Sequence, residues 1–331
     1  MARFCEENGL PFLRCGKLVV AAEKREIPLL EEIHRRGVAN GLRGIALLGP
    51  EEIREVEPLC RGIAALRVPG AAITDYGAVT AAMARQVARG GGEIRTGARV
   101  VSVLERGREI VLETTVGAVA AGHAINCAGL HSDRIARLAG SDPGVAIVPF
   151  RGEYFELAIG PSRAVRGLIY PVPDPELPFL GAHLTKKIDG GVLAGPNAVL
   201  ALKREGYRKT DVGLADLKEI LVFPGFWRMA RRHWRSALRE AWRSLSKGAF
   251  LRALRRLAPD LRGNDLRPGG SGVRAQAVDR QGRLVDDFLI VPAGRMIHVL
   301  NVPSPAATAS LVIGRTIIET LAARLDAGGA R

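Results

Sequence analysis

The chain has 331 residues, a formal net charge of +14, and a composition that is 47% hydrophobic and 25% charged, as in a soluble globular protein. Its four cysteines form no CxxC pair, which argues against a disulfide framework and a structural zinc and favours a reduced cytoplasmic setting. We find neither a signal peptide nor an apolar run of membrane-spanning length. The positive charge therefore predicts anionic partners: a membrane surface, nucleic acid or an acidic substrate.

The first part of the chain alternates helices and strands, as α/β proteins do. The spacing of apolar residues predicts helices over 2–8, 24–40, from Pro50, and over 76–89, where Gly90, Gly91 and Gly92 end the helix. Strands are predicted over 17–22, 93–96, 99–104, 110–115 and 122–127. The last of these strands leads into Ala128-Gly129-Leu130 and a helix to about residue 139.

The middle of the chain has a different pattern. Strand candidates over 145–157, 168–170, 179–185 and 191–194 are separated by Pro-rich turns, which predicts a mostly antiparallel second layer. Two helices follow Pro224-Gly225, and strands resume at Val273.

The chain closes with a predicted buried strand over 296–300 and a helix from Ala306, joined by Asn301-Val302-Pro303-Ser304-Pro305. Ser304 suits the N-cap of that helix and Pro305 its first position. The N–H groups of such a helix start suit an anion or an electron-rich ring oxygen. The alternative is that this stretch is only a connecting loop.

Three strand candidates carry polar side chains that could perform chemistry. Arg274 stands in the apolar run GVRAQAV and needs a carboxylate, from a ligand or from Asp286 or Asp287. His183 in FLGAHLT is either a hydrogen-bonded core residue, which is the commoner case, or a base. FRGEYF carries Arg151, Glu153 and Tyr154, and we favour a simple pairing of its Arg and Glu on one face.

Two further features of the sequence bear on binding: the glycine-rich stretches and a basic segment. No GxGxxG phosphate loop occurs, and neither Gly90-Gly91-Gly92 nor Gly269-Gly270-Ser271-Gly272 forms a strand-to-helix turn. The segment 226–258 is basic and amphipathic. We favour helices that pack their apolar stripe on the parent domain with a solvated basic face. The alternatives are attachment of these helices to an anionic membrane surface and a basic module that binds nucleic acid. Nucleic acid is not expected as a partner.

Six segments, GEYF, YPVPDP, FLGAHLT, GPNAVLALKREGY, GVRAQAV and NVPSPAAT, together resemble the L-2-hydroxyglutarate oxidase (dehydrogenase) family of flavoproteins, which has a D-amino-acid-oxidase-like fold. The similarity runs from about Arg3 to the last helix. That family opens with a strand, a GxGxxG turn, a helix and a His-containing loop, and this portion is missing here. The expectation is an enzyme of this family or, without that segment, a catalytically silent, N-terminally truncated remnant.

The resemblance implies FAD as cofactor, oxidation of L-2-hydroxyglutarate to 2-oxoglutarate, and transfer of electrons to membrane quinone in bacteria. It implies a small dicarboxylate hydroxy acid as partner and a cytoplasmic location, with peripheral contact with the inner face of the cell membrane as an alternative. It implies His183 as the base and Arg274 as the carboxylate clamp, with Arg151 and Tyr154 as further substrate contacts; Arg151 and Lys203 are candidates for the second carboxylate. The implied cofactor contacts are Val100, Ala128, Gly129, Leu130, Asn301, Pro303, Ser304 and Pro305.

The predicted fold class is therefore α/β (α+β), with an incomplete FAD-binding Rossmann-like domain interleaved with a mostly antiparallel substrate domain. The predicted domain division is 1–72 for substrate-domain elements, 73–144 for a FAD-binding part, 145–272 for the substrate domain with basic helices over 226–258, and 273–331 for the C-terminal FAD-binding part.

Overall fold

The computed structural model describes residues 1–173, 181–303 and 306–329, with side chains described as far as 325. The α-helices are α1 (Ala2–Glu7), α2 (Ile27–Ala39), α3 (Pro50–Val56), α4 (Tyr76–Arg89), α5 (Ser132–Leu138), α6 (Ile159–Ala164), α7 (Leu214–Val222), α8 (Pro224–Leu245), α9 (Lys247–Leu254) and α10 (Ala306–Gly329).

The strands, in chain order, are β1 (Phe12–Leu13), β2 (Lys17–Ala21), β3 (Ala46–Leu48), β4 (Ala64–Val68), β5 (Ile73–Thr74), β6 (Val100–Arg106), β7 (Glu109–Thr114), β8 (Gly117–Ala121), β9 (Ala124–Asn126), β10 (Val145–Leu157), β11 (Leu168–Pro171), β12 (His183–Lys186), β13 (Val192–Gly195), β14 (Val199–Leu200), β15 (Leu266–Asp279), β16 (Leu289–Ala293) and β17 (Met296–Asn301).

A nine-stranded sheet forms the larger layer. Its order is β14-β10-β13-β12-β11-β2-β4-β3, and β15 pairs with β10 beside this path. Neighbouring strands are antiparallel except β11 and β2, which are parallel. The predicted α/β class and the mostly antiparallel second layer are confirmed. The predicted strand over 93–96 is wrong, because this exposed segment makes a local ion pair between Glu93 and Arg95.

The segment Gly269-Gly270-Ser271-Gly272 lies inside β15 and not in a phosphate turn. The register between β10 and β15 shifts between Glu153 and Phe155. A Cβ on Gly269 would lie 2.7 Å from the carbonyl carbon of Phe155, and Gly270 has a φ of +83°. Glycine is required here because the strand bulges where two backbones approach closely.

One face of this sheet is covered by α9. Phe250, Leu254 and Leu257 pack against apolar side chains of the sheet, among them Leu18, Ile169 and Leu184. Because side chains alternate along strands, the residues flanking these positions point to the opposite face. His183, Tyr170 and Lys17 therefore share that face.

A smaller sheet has the order β16-β17-β9, with β17 parallel to β9. The helix α10 packs Ile313, Ile317 and Leu321 onto Ile297 and Val299 of this sheet. By length and composition, Ala306–Leu325 could also cross a membrane, with a mean hydropathy of 1.3 and only 6% of the stretch buried. The expectation that no apolar run reaches spanning length is therefore wrong. However, α10 also packs on β17, as a helix of a folded domain does.

The apolar stripe of α8 does not pack as expected. The buried face of this helix presents Phe226 and Met229, whereas Trp227 is 57% exposed and Trp234 is 52% exposed. The remaining large apolar side chains that point outward from α8 are Leu238, Trp242 and Leu245. The expectation of a packed stripe is wrong for α8, because the helical pattern defines two faces without deciding which one the sheet covers. It is right for α9, whose Phe250, Leu251 and Leu254 are buried.

Candidate active site

His183 begins β12 and is 8% exposed. Its Nδ1 lies 2.9 Å from the carbonyl oxygen of Gly181, and its ring centroid lies 4.1 Å from that of Tyr170. Burial lowers the pKa of His183 to about 4, and the positive charges of Arg274 and Lys17 add to this effect while the Gly181 hydrogen bond opposes it. The ring is therefore neutral at pH 7. Because Nδ1–H donates to Gly181, the ring's lone pair is on Nε2.

Neighbouring strands bring aromatic and small residues beside His183. Gly195 of β13 is its cross-strand partner, and a Cβ on Gly195 would lie 3.4 Å from the Cα of Tyr154. The hydroxyl of Tyr170 hydrogen-bonds to the side chain of Thr185, while burial raises the pKa of Tyr170 and nearby Tyr154 adds to that increase. Four strands thus place two tyrosines around one neutral imidazole.

Arg274 lies on β15 directly opposite Phe150 of β10, and its side chain is partly buried. Its charge is close enough to His183 to lower the pKa of that ring. The sheet therefore places a guanidinium within electrostatic reach of the imidazole, as a carboxylate clamp next to a base requires. Its proposed contact with substrate stays a prediction.

Arg151 is engaged inside the protein. Its Nη2 lies 3.0 Å from Oε1 of Glu153, and its Nη1 donates to the carbonyl oxygen of Arg208 at 3.1 Å. Although burial raises the pKa of Glu153, hydrogen bonds from Ser244 and Asn197 and the nearby cations hold it below its usual value. The favoured internal pair is present and engages the Arg151 guanidinium, and a contact between Arg151 and substrate stays a prediction.

The predicted cofactor loops meet at one edge of the smaller sheet. Asn126 of β9 pairs with His298 of β17, and the two strands run parallel, so the loops after them lie side by side. The first loop contains Ala128 and Gly129, both exposed, and a Cβ on Gly129 would meet nothing within 4 Å. The backbone of this turn is therefore open at the surface.

The second loop, which follows β17, is described as far as Pro303, and Ser304 and Pro305 lie outside the described residues. The side chain of Asn301 donates to the carbonyl oxygens of Val285 at 3.1 Å and Asp287 at 2.8 Å. Its amide NH₂ therefore supports the chain before β16 and does not face a cofactor. Val100 starts β6 at the edge of a separate sheet of order β6-β7-β8, with its side chain in an apolar cluster.

Two buried networks hold the Ala128 turn, and the sequence did not reveal either. The side chain of Asn126 donates to the carbonyl oxygen of Ser132 at 2.8 Å and to Nδ1 of His298 at 3.1 Å, and its Oδ1 accepts from the N–H of Ala128 at 3.1 Å. His298 is 1% exposed, and its Nε2 has no hydrogen-bond partner among the described residues. Burial lowers the pKa of His298, which keeps this ring neutral.

The second network joins the turn to the loop after β14. Arg204, 2% exposed, donates to the carbonyl oxygen of Leu130 at 2.5 Å and to both carboxylate oxygens of Asp133 at 2.5 and 3.0 Å. Burial raises the pKa of Asp133, but Arg204, the N–H of Ile147 and the charge of Arg137 together hold that pKa below its usual value. No sequence signal links two residues this far apart, and the sequence offers only the neighbouring exposed Lys203 as a candidate in this segment.

Comparisons with known proteins agree with this architecture. The chain matches the family of FAD-dependent oxidoreductases known as DAO over residues 1–320 and belongs to it. The solved L-α-glycerophosphate oxidase of Mycoplasma pneumoniae with FAD bound has the same fold, with a TM-score of 0.75, 20% identity, and coverage of 94% of this chain and 74% of that one.

Within this family, the chain is similar to proteins named L-2-hydroxyglutarate dehydrogenase. It is 46% identical to the one from Indibacter alkaliphilus over 96% of this chain and 80% of the relative. It is 45% identical to the one from Escherichia coli K12 over 95% of this chain and 75% of the relative. The predicted family, cofactor class and oxidoreductase activity are thereby confirmed.

The residues present fit part of an FAD molecule. The open turn at Ala128-Gly129 and the loop Asn301–Pro303 lie side by side at the carboxyl ends of parallel strands, which is where α/β sheets bind nucleotides. The sequence has no GxGxxG turn with which to hold the diphosphate. These two loops can therefore contact part of FAD, and they do not supply the glycine turn that would hold its diphosphate.

Proposed function

We propose that this protein oxidises L-2-hydroxyglutarate to 2-oxoglutarate. FAD, when bound, would accept the hydride that leaves C2 of the substrate. The observation that carries the proposal is the neutral, buried His183, with its Nδ1–H held by Gly181 and a cation, Arg274, within electrostatic reach. A hydroxy acid needs both groups, because one must take the hydroxyl proton while the other holds the carboxylate.

The roles follow from the geometry. His183 would take the hydroxyl proton at Nε2, since Nδ1 already carries a proton and is bound to Gly181. Arg274 would bind the carboxylate next to the reacting carbon, and Tyr154 and Tyr170 would line the space around it. A bound anion offsets part of the positive charge that lowers the pKa of His183, so substrate binding would strengthen the base.

The cofactor contacts are proposed for backbone more than for side chains. The turn Ala128-Gly129-Leu130 and the loop from Asn301 through Pro303 to Ser304 and Pro305 would hold FAD, with the backbone of Val100 toward the adenine. The exposed backbone of Gly129 supports this arrangement.

A direct test is anaerobic mixing of the purified, flavin-containing protein with L-2-hydroxyglutarate. We expect 2-oxoglutarate to form and the absorbance of oxidised flavin at about 450 nm to disappear. The D-enantiomer is the matched control and should leave the flavin oxidised. A protein that purifies without flavin, or a flavin that neither enantiomer bleaches, would support the catalytically silent alternative.

We also propose that α8 rests on an anionic membrane surface, where membrane quinones could receive the electrons. The supporting observation is the exposed row of Trp227, Trp234, Leu238 and Leu245, which lies next to exposed arginines, and the guanidinium of Arg235 is 5.3 Å from the ring centroid of Trp234. Basic helices with exposed tryptophans bind in the interface of anionic bilayers.

A further inference from the structure

A second cation lies on the same sheet face as His183. Lys17 is the first residue of β2, and Leu168 of β11 pairs with it on one side and with Thr185 of β12 on the other. The Lys17 ammonium lies 5.4 Å from the ring centroid of Tyr170, the same ring that stacks on His183. The charge of Lys17 is also near enough to lower the pKa of His183.

Lys17 has no acidic partner in the described part of the chain. Within residues 1–173, 181–303 and 306–325, no carboxylate oxygen lies within 4.0 Å of the Lys17 ammonium nitrogen, the limit for an ion pair. Its side chain is partly buried, and burial lowers its pKa. Burying an ammonium without a counter-charge costs free energy, and the face of Tyr170 compensates only in part. An anionic ligand would complete this site.

We propose that Lys17 binds the second carboxylate of the substrate, the one remote from the oxidised carbon. The inference rests on the proposed function and adds the residue that selects a dicarboxylate. Arg274 and Lys17 both act on His183, so the imidazole lies within reach of both cations, as a base between two carboxylate sites must. The two earlier candidates fit less well, because Arg151 is bound to Glu153 and Lys203 is exposed.

The first experiment measures binding without turnover. The flavin-containing protein is titrated calorimetrically with glutarate, a dicarboxylate without the hydroxyl, and with butyrate, which lacks the second carboxylate. We expect glutarate to bind the wild-type protein more tightly than butyrate, by about tenfold to a hundredfold, the range for a charge-assisted hydrogen bond. Lys17→Met should remove this preference and Lys17→Arg should keep part of it, whereas the control Lys24→Met, at an exposed lysine, should change nothing.

The second experiment compares L-2-hydroxyglutarate with L-2-hydroxyvalerate, which has the same carbon chain and one carboxylate. Lys17→Met should raise KM for the dicarboxylate by about tenfold or more while kcat changes by less than about threefold. It should leave KM for the monocarboxylate unchanged. Unfolding temperature and flavin absorbance of each variant show whether it is folded, and Lys17→Arg supplies a variant of similar size and equal charge.

The two proposals fail in different ways. If the wild-type protein binds glutarate no better than butyrate, or if Lys17→Met affects both ligands equally, the assignment of Lys17 is overturned. If glutarate is preferred through Lys17 and yet L-2-hydroxyglutarate does not reduce the flavin, the dicarboxylate site stands and the proposed reaction is wrong.

Discussion

Arg204 and Asp133 form a bidentate ion pair inside the protein, with the Asp133 side chain fully buried and that of Arg204 2% exposed. The same guanidinium binds the carbonyl oxygen of Leu130, and Asp133 accepts from the N–H of Ile147 at 3.1 Å. This pair therefore joins three segments: the turn after β9, the start of β10 and the loop that follows β14.

Replacing Arg204 with Met should destabilise the protein and weaken its hold on FAD. Removal of Arg204 leaves the fully buried carboxylate of Asp133 with the partly exposed Arg137 as its remaining cation. Breaking a buried ion pair costs about 3–5 kcal/mol, and the Arg137 contact keeps the loss toward the lower end. Urea unfolding and the flavin content after dialysis measure the two effects. Because the pKa of Asp133 is lowered in the folded state, the stability that this pair contributes is present near neutral pH and is lost as pH falls through that pKa. Arg137→Met is the control, since Arg137 is more exposed and contacts the same carboxylate. Equal loss in both variants would contradict the role given to Arg204.

His183→Gln should lower kcat by at least about a hundredfold, within the usual contribution of a general base, with a smaller change in KM. Steady-state kinetics with L-2-hydroxyglutarate measure this split. The pKa of His183 in the free enzyme is about 4, so this residue stays neutral between pH 6 and 8 and should not change kcat/KM there. As pH decreases toward 4, protonation of His183 should lower kcat/KM. An undiminished kcat in the variant would refute the base assignment.

The same residue should make stability depend on pH. The pKa of His183 falls from 6.5 to about 4 on folding, so between these values the unfolded chain binds more protons and the free energy of unfolding decreases as pH falls. From pH 7 to pH 5 the wild-type protein should lose about 2 kcal/mol more than His183→Gln. Urea unfolding at both pH values measures the difference.

Arg274→Ala should raise KM by about a hundredfold, because a bidentate contact with a carboxylate is lost. Arg151→Met is the informative comparison on the adjacent strand. It should lower the free energy of unfolding by about 1–3 kcal/mol and leave KM nearly unchanged, since the partly buried Glu153 loses a charge-assisted hydrogen bond and keeps Lys209, Ser244 and Asn197. If the two variants exchanged these outcomes, the substrate contact would belong to Arg151.

Trp234→Ser combined with Leu238→Ser should weaken binding to vesicles of phosphatidylglycerol and phosphatidylcholine by about tenfold or more, because two apolar side chains no longer enter the interface. Co-sedimentation measures the bound fraction, and vesicles of phosphatidylcholine alone should bind little of either protein. Val116→Ser, at a side chain that is 68% exposed in the turn between β7 and β8, is the matched control. If wild-type protein bound neither vesicle, α8 would not be a membrane surface.

Much of the architecture follows from the sequence, because apolar periodicity and glycine positions act locally. The helix that ends at Gly90 and the long strands β10 and β15 are of this kind. Partners distant in the chain are not local, so Asp133 gave no sign that it meets Arg204. Lys17 was missed because a lysine at the start of an apolar strand normally marks the solvated end of the strand. The exposure of the apolar stripe of α8 was missed because an amphipathic pattern separates two faces of a helix without showing which of them packs on the sheet.

The pairing of Asn126 with His298 has a consequence for how the protein is made. The turn at Ala128 and the loop after Asn301 become neighbours only when β9 and β17 join, although most of the substrate layer is translated between them. A contact so distant in the chain closes a large loop and forms slowly. Among the described strands, β17 is the only neighbour of β9, so β9 stays unpaired during synthesis until β17 is made. Chaperone binding to nascent chains should therefore persist until β17 leaves the ribosome.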